Sequence, residues 1–154
     1  MTTVEVTNGY QFANEKLLAQ SLTHKSYYNE SIDKSLGHNE KLEFLGDAVL
    51  DLCLGHILYT RFQELDEGHL SKIRASLVNE QALMEFAKKM SLDHELRLGR
   101  GEENSGGREK PRLLASVFEA FIGAFYLDAG FSKSFIFIEK LFAEALSEVD
   151  LENH

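Results

Sequence analysis

The segment 113–127 carries a single charged side chain, Glu119, among residues that are almost all apolar or small. A helix this apolar on every side usually lies at the centre of a protein core. Ala120, Gly123 and Ala124 have small side chains, which would let another helix approach close to Glu119. An unpaired carboxylate in such a place costs several kcal/mol or stays protonated. Glu119 therefore needs either a basic partner, which would make it part of a structural salt bridge, or a metal ion.

The segment Asn39–Arg61 predicts a second long helix, with acids on one side. On a wheel that advances about 100° per residue, the acids form one narrow stripe: Glu40, Glu43, Asp47 and Asp51. Apolar residues on the opposite side are predicted to form the core face of this helix: Leu42, Leu45, Val49 and Leu52. If this helix packs beside Glu119, carboxylate oxygens converge from two elements, which suits Mg²⁺ or Mn²⁺ rather than zinc. A solvated acidic face is the alternative interpretation of the stripe.

The remaining pattern predicts an all-α protein of one domain, because the chain has one proline, no tryptophan and many strong helix formers. We expect a first helix capped by Asn14, and two helices within 69–90 that separate near Asn79. Residues 99–110 contain glycines and no apolar side chain, which predicts an exposed, mobile loop. A last helix is expected from Ser132 to about Glu148.

Composition narrows the class of function. The formal net charge of −9 argues against a protein that holds nucleic acid by its own surface charge. It leaves open an acidic cluster that recruits divalent cations, which then carry positive charge to a phosphate. No apolar run approaches the roughly 18 residues that cross a bilayer, so we expect no membrane contact and a cytoplasmic location. The single cysteine, Cys53, excludes an internal disulfide and is predicted to be a small core residue.

Four strings of residues resemble the ribonuclease III family, in the order that family has them. The longest, NEKLEFLGDAVL at 39–50, closely resembles the family signature, and it is accompanied by LTHKS at 22–26, LSKIRASLV at 70–78 and FEAFIGA at 118–124. The resemblance implies the all-α helical fold of the ribonuclease III endonuclease domain. It also implies a homodimer whose two active sites line a valley that holds an RNA duplex. Residues 1–150 would form this domain, and 151–154 would begin a linker to a double-stranded-RNA-binding domain that this chain lacks.

The resemblance also assigns roles to individual residues. Asp47 and Glu119 match the catalytic acids, and together with Glu43 they match the metal ligands. Glu40 matches a supporting acid beside them. At Ser116 the family usually has aspartate, so this ligand is expected to be weakened or replaced by water. Another residue, Phe44, matches an aromatic side chain that contacts the partner subunit, although an ordinary core phenylalanine is the alternative.

The implied activity is that of a Mg²⁺-dependent endoribonuclease, with Mn²⁺ as a possible substitute. It would hydrolyse phosphodiester bonds in double-stranded RNA to 5′-phosphate and 3′-hydroxyl ends, with roles in rRNA and mRNA processing. Candidate phosphate contacts are basic residues that are otherwise solvated surface charges: Lys72, Arg74, Arg100, Arg108, Lys110 and Arg112. One alternative is a catalytically weakened RNA-binding or scaffold protein of the same fold, which Ser116 favours. The other is a plain structural helical bundle.

Overall fold

The computed structural model of the protein describes residues 9–153, which fold into ten α-helices. Within that range the only β-type pairing is an isolated bridge between Thr23 and Arg97, so the all-α prediction is confirmed. None of these helices is both long and apolar enough to cross a membrane. In chain order the helices are α1 (Glu15–Ser21), α2 (Lys25–Glu30), α3 (Glu40–Arg61), α4 (Glu67–Leu77), α5 (Glu80–Lys89), α6 (Leu92–Glu95), α7 (Arg100–Asn104), α8 (Pro111–Ala129), α9 (Phe131–Leu141) and α10 (Ala143–Asn153).

Helix α8 lies at the centre of the core, as its apolar sequence predicts. It packs against α3 along most of its length and also contacts α1, α5 and α9. Its side chains are buried on all sides, including Leu114, Phe118 and Phe121. Cys53 is fully buried in the same core, which confirms its predicted role.

Two glycines set the close approach of α3 and α8. A Cβ atom on Gly46 would lie 1.7 Å from the backbone oxygen of Glu119, and one on Gly123 would lie 2.2 Å from the backbone oxygen of Leu42. Neither distance is possible for a real side chain, so both positions require glycine. The small residues near Glu119 therefore do allow another helix to approach, and that helix is α3.

The predicted core face of α3 is only partly correct. The buried side chains include Leu42, Val49 and Cys53, but Leu52 is 60% exposed. On the same wheel the buried face is centred roughly 90° from the predicted direction, toward the acidic stripe. The stripe therefore borders the buried face instead of lying opposite it. This places Glu43 and Asp47 at the edge of the contact with α8.

Polar caps define the helix starts that the sequence predicts. The side chain of Asn14 accepts a hydrogen bond from the Lys16 amide at the start of α1, which confirms this cap. Asn79 accepts from the Ala82 amide and begins α5, so the break inside 69–90 is also confirmed. The first of the two helices starts slightly earlier than predicted, at Glu67 after the cap Asp66.

The C-terminal segment forms two helices where one was predicted from Ser132 to Glu148. They meet at Phe142, whose side chain is fully buried against Phe86, with ring centroids 4.7 Å apart. The interruption therefore falls at a residue whose ring belongs to the core. The second helix, α10, continues to Asn153 and so includes residues that the sequence assigned to the start of a linker.

The prediction of a loop at 99–110 is wrong. The segment contains α7 and a 3₁₀ turn at Gly107–Glu109, although most of its residues are exposed. Arg108 fixes the segment: its guanidinium donates to the Glu103 carboxylate at 2.6 Å and to the backbone oxygen of Leu96 at 2.6 Å. Charge-assisted hydrogen bonds replace the apolar contacts that the sequence lacks here.

Candidate active site

Acids from α3 and α8 meet where the two helices cross. Glu119 on α8 forms a side-chain hydrogen bond with Asp47 on α3 and lies within electrostatic range of Glu43 and Asp51. Burial, this hydrogen bond and the neighbouring negative charges raise the pKa of Glu119 to about 8. Without a cation, Glu119 is therefore largely protonated at neutral pH and donates to Asp47.

Glu119 has no basic partner within residues 9–153, where no ion pair involves it. A structural salt bridge, the alternative interpretation of this residue, would require one. Its carboxyl group is instead surrounded by other carboxylates. Such a cluster becomes favourable when a cation neutralises the shared negative charge.

Ser116 lies one turn before Glu119 on α8 and faces the same acids. Its hydroxyl donates a hydrogen bond to Glu43 Oε1 at 3.1 Å. A neutral donor thus stands where an aspartate would add a further negative charge. The structure brings together Ser116, Glu43, Asp47 and Glu119, as the predicted ligand set requires.

The donor types of this cluster fit a hard cation, since they are carboxylate oxygens and one hydroxyl. As they stand, however, no group of three or more His, Cys, Asp or Glu side chains in the described part of the chain has the geometry of a metal site. Glu119 keeps its proton and donates it to Asp47 in a hydrogen bond, and Glu43 accepts from Ser116. Cation binding would have to remove that proton and reorient the carboxylates.

Glu40 lies apart from this cluster. Its side chain is half exposed, 3.5 Å from Lys25 Nζ and 3.9 Å from His38 Nδ1. The charges that raise the pKa of Glu119 belong to Asp47, Glu43 and Asp51. Glu40 is therefore at the rim of the cluster, where Lys25 is its basic partner.

Asp51 extends the acidic stripe along α3, and Arg74 of α4 lies over it. Burial and Asp47 raise the pKa of Asp51, and the positive charge of Arg74 lowers it. The Arg74 guanidinium also reaches Gly55, where an added Cβ would lie 3.3 Å from its Nη1 atom. Arg74 is thus one basic residue that does approach the acids.

The other basic candidates divide into two groups. Arg108 and Lys110 form ion pairs with Glu103 and Glu102, each at 2.6 Å. These bonds hold the 99–110 segment together, so neither side chain is available without breaking them. A second group is exposed and forms no ion pair within residues 9–153: Lys72, Arg100 and Arg112.

A small cleft opens beside the acid cluster, with a volume of about 40 Å³. Its lining comes from α3, α8 and the start of α2: His24, Lys25, Glu40, Glu43, Arg112, Leu113 and Ser116. His24 and Lys25 were not among the predicted site residues. The signal was present in the LTHKS string, but nothing in its spacing indicated that it would fold against α3 and α8.

Phe44 points away from the core of its own chain. Its side chain is 80% exposed, and Leu52 and Tyr59 on the same helix are 60% and 72% exposed. Together these three residues form the exposed stripe of α3. Large apolar side chains in a row on one helix are typical of a surface that another protein covers.

Comparisons with known proteins agree with this architecture. A family described as Ribonuclease-III-like matches residues 14–146. The chain is 52% identical to Ribonuclease 3 of Bdellovibrio bacteriovorus over 92% of its length, and 48% identical to Ribonuclease 3 of Listeria monocytogenes over 86%. It spans only 60% and 58% of the lengths of these two relatives.

A solved structure also has the same fold. The nuclease domain of ribonuclease III from Campylobacter jejuni superimposes with a TM-score of 0.83 at 40% identity, covering 92% of this chain and 94% of that one. That structure is described for flexibility in a region involved in dimer formation. On the match to the family and the identity with its members, this chain belongs to the ribonuclease III family.

Proposed function

We propose that this domain is an endoribonuclease that cuts double-stranded RNA with the help of a divalent cation. The observation that carries the proposal is the half-buried Glu119 carboxyl group, which lies among the charges of Asp47 and Glu43 and has no basic partner within residues 9–153. Placing a carboxyl group in a mostly acidic cluster costs folding free energy, and a pKa raised to about 8 is typical of a binding or catalytic site. Membership of the ribonuclease III family supports the same activity.

Glu43, Asp47 and Glu119 would hold Mg²⁺, or Mn²⁺ in its place, with Ser116 contributing its hydroxyl or a bridging water. When bound, the cation supplies a Lewis acid that stabilises negative charge on the phosphoryl oxygens. The protein's own part is to keep these carboxylates on two rigid helices fixed by Gly46 and Gly123. Asp47 and Glu119 are the side chains we assign closest to the reacting phosphate.

The duplex itself would be recognised by shape. A-form RNA presents its backbone and 2′-hydroxyls in a wide, shallow groove, and proteins contact these groups without reading bases. Lys72, Arg100 and Arg112 are the exposed basic residues we assign to such contacts, together with Arg74 beside Asp51. We further propose products with 5′-phosphate and 3′-hydroxyl ends, a cytoplasmic location and roles in rRNA and mRNA processing.

We also propose that two copies of the chain assemble through the exposed stripe of α3. Phe44 is the aromatic anchor of this contact at the N-terminal end of the stripe, and Leu52 and Tyr59 extend the contact along α3. Leaving three large apolar side chains in water is unfavourable, and burying them against a second copy removes that cost. The description of the Campylobacter jejuni structure refers to dimer formation in that protein and supports the proposal.

The main alternative is an RNA-binding protein of the same fold with little catalysis. Ser116 favours it, since a neutral hydroxyl replaces a negatively charged ligand. Incubation of a long RNA duplex with the purified chain, with and without Mg²⁺, separates the two. Cutting that requires Mg²⁺ supports the proposal, whereas binding without cutting at any Mg²⁺ concentration supports the alternative.

A further inference from the structure

The cleft beside the acid cluster contains hydrogen-bond donors that take no part in holding the proposed cation. Two donors of the cleft already contact its acids. Lys25 lies 3.5 Å from Glu40, and the Ser116 hydroxyl donates to Glu43. The basic residues of the lining that form no such contact are His24 and Arg112.

The orientation of the His24 ring fixes which of its nitrogens can donate. His24 is the N-cap of α2, and its Nδ1 atom accepts a hydrogen bond from the Ser26 amide at 3.1 Å, with Ser26 Oγ at 2.8 Å. A backbone amide can only donate, so Nδ1 carries no proton. The proton of the neutral ring is therefore on Nε2. Burial lowers the pKa of His24, which favours the same neutral form.

Nε2 of His24 has no partner within residues 9–153, and His24 lines the cleft. Arg112 also lines it, one turn before Ser116 on α8, and forms no ion pair in the described range. Both available groups are donors only. A ligand that satisfies them must offer acceptor oxygens.

Size and charge narrow the ligand further. A volume of about 40 Å³ has room for about three water-sized groups, which is enough for the two non-bridging oxygens of a backbone phosphate. The charges of Lys25 and Arg112 cancel those of Glu40 and Glu43. A cation in the adjacent acid cluster would make this neutral region positive, so an anion is favoured only when the metal is present.

We propose that this cleft binds a phosphate of the RNA backbone next to the one that is cut, through the Nε2–H group of His24 and the guanidinium of Arg112. The inference rests on the proposed function, because RNA supplies the phosphate. It assigns to the junction of α1 and α2 a direct part in holding the substrate. His24 is in this sense a positioning residue, with a separate structural role as the cap of α2.

Two substitutions of His24 separate these roles. His24→Asn keeps an acceptor near the position of Nδ1, so α2 remains capped, but it removes the Nε2–H donor. His24→Gln has the opposite effect. Its side-chain amide reaches the cleft as a donor, but α2 loses its N-cap. Arg112→Ala removes the charge at an exposed position, where the fold should tolerate it. The matched control is Lys88→Ala, which removes a positive charge exposed on α5, outside the cleft.

The measurement is the affinity for an end-labelled RNA duplex, with Ca²⁺ in place of Mg²⁺ to prevent cutting, over a series of salt concentrations. Arg112→Ala should weaken binding about tenfold and reduce the slope of log affinity against log salt by about one. His24→Asn should weaken binding about tenfold with an unchanged slope and melting temperature. His24→Gln should bind like wild type but melt earlier, and Lys88→Ala should change neither affinity nor slope.

The reverse ranking of the His24 variants, with Gln impaired and Asn normal in binding, would show that His24 is only a helix cap and would overturn the inference. The inference would also be overturned if the slope of log affinity against log salt were the same for Arg112→Ala and Lys88→Ala. This comparison remains decisive if a His24 variant fails to fold. Wild-type cutting in Mg²⁺ is measured alongside. A wild type that neither binds nor cuts overturns the proposed function and this inference together, whereas normal cutting beside unaffected variants overturns this inference alone.

Discussion

Glu119 shows how far a single residue can be interpreted from sequence. One charge in an apolar helix predicts a compensating partner, and the resemblance to the family assigns that partner as a metal. The structure adds the neighbours, Asp47 and Glu43, and a pKa raised to about 8. It also shows that the carboxyl group forms a hydrogen bond with Asp47 in the absence of a cation, which spacing along a helix does not reveal.

Replacing Glu119 with Gln should abolish cutting and remove a pH dependence of stability. The pKa of Glu119 is raised from 4.5 to about 8 in the folded chain, so its contribution to stability is complete below pH 4.5 and is lost as pH rises through 8. Thermal unfolding of the metal-free wild type should therefore occur at a lower temperature at pH 8.5 than at pH 6.

Glu119→Gln should lack this contribution to the pH dependence, and its metal-free stability at neutral pH should equal or exceed that of wild type. Added Mg²⁺ should stabilise wild type and have little effect on the variant. A large loss of metal-free stability in the variant would contradict the interpretation, because it would indicate that the charge of Glu119 stabilises the fold.

Ser116 is the residue at which the chain departs from the pattern of its family. Ser116→Asp adds a charged ligand beside Glu43 and should lower the Mg²⁺ concentration needed for half-maximal cutting, since divalent affinity follows ligand charge. Without metal the same variant should melt earlier because another carboxylate faces Glu43. Ser116→Ala, the control, removes only the hydrogen bond to Glu43 and should change the Mg²⁺ requirement little.

A Mg²⁺ titration of cutting by the three proteins provides the test. If Ser116→Ala abolished cutting while Ser116→Asp left the Mg²⁺ requirement unchanged, the hydroxyl would have a role other than that of a weakened ligand.

At the scale of secondary structure, long helices with apolar stripes were predictable and their precise contacts were not. The bounds of α3 follow from periodicity, and those of α8 from Pro111 at its start and Gly130 after its end. The predicted direction of the buried face of α3 was wrong because a helical wheel places residues by type alone. It does not show that the backbone of α8 packs directly against Gly46. The break at Phe142 and the helix at Arg100–Asn104 depend on contacts with distant residues, which local patterns do not contain.

The crossing of α3 and α8 gives a direct test of that contact. Gly46→Ala would place a methyl group 1.7 Å from the Glu119 backbone oxygen, so the helices must separate. We expect a loss of about 3 kcal/mol or more in the free energy of unfolding. Any variant that still folds should also lose cutting, because the acids would no longer meet.

Gly55→Ala is the matched control on the same helix. Its new Cβ atom would lie 3.3 Å from the end of the flexible Arg74 side chain, which can move. Because alanine favours a helix over glycine by roughly 1 kcal/mol, this variant should be as stable as wild type or slightly more so. Chemical denaturation of both variants provides the comparison, and equal effects would show that the crossing tolerates a side chain at Gly46.

For the whole molecule, the charge of −9 and the exposed stripe of α3 point to a domain that does not act alone. An acidic surface repels RNA, and the acids can attract it only through bound cations. A second copy would double the number of acid clusters in the assembly, and with it the number of cation-mediated contacts available to a duplex. Composition predicted the charge, whereas the exposure of Leu52 and Tyr59 beside Phe44 became visible only in the folded chain.

Phe44→Ala tests whether this assembly exists. Sedimentation of wild type at micromolar concentration should give about twice the chain mass of 17.4 kDa. Truncating an aromatic anchor commonly costs 2 kcal/mol or more, so the variant's dimer dissociation constant should rise about thirtyfold. Ile32→Ala is the control, since Ile32 is fully exposed in the loop before α3 and lies outside the stripe. Its sedimentation should match that of wild type, whereas a wild-type monomer that still cuts both strands at micromolar concentration would contradict the dimer.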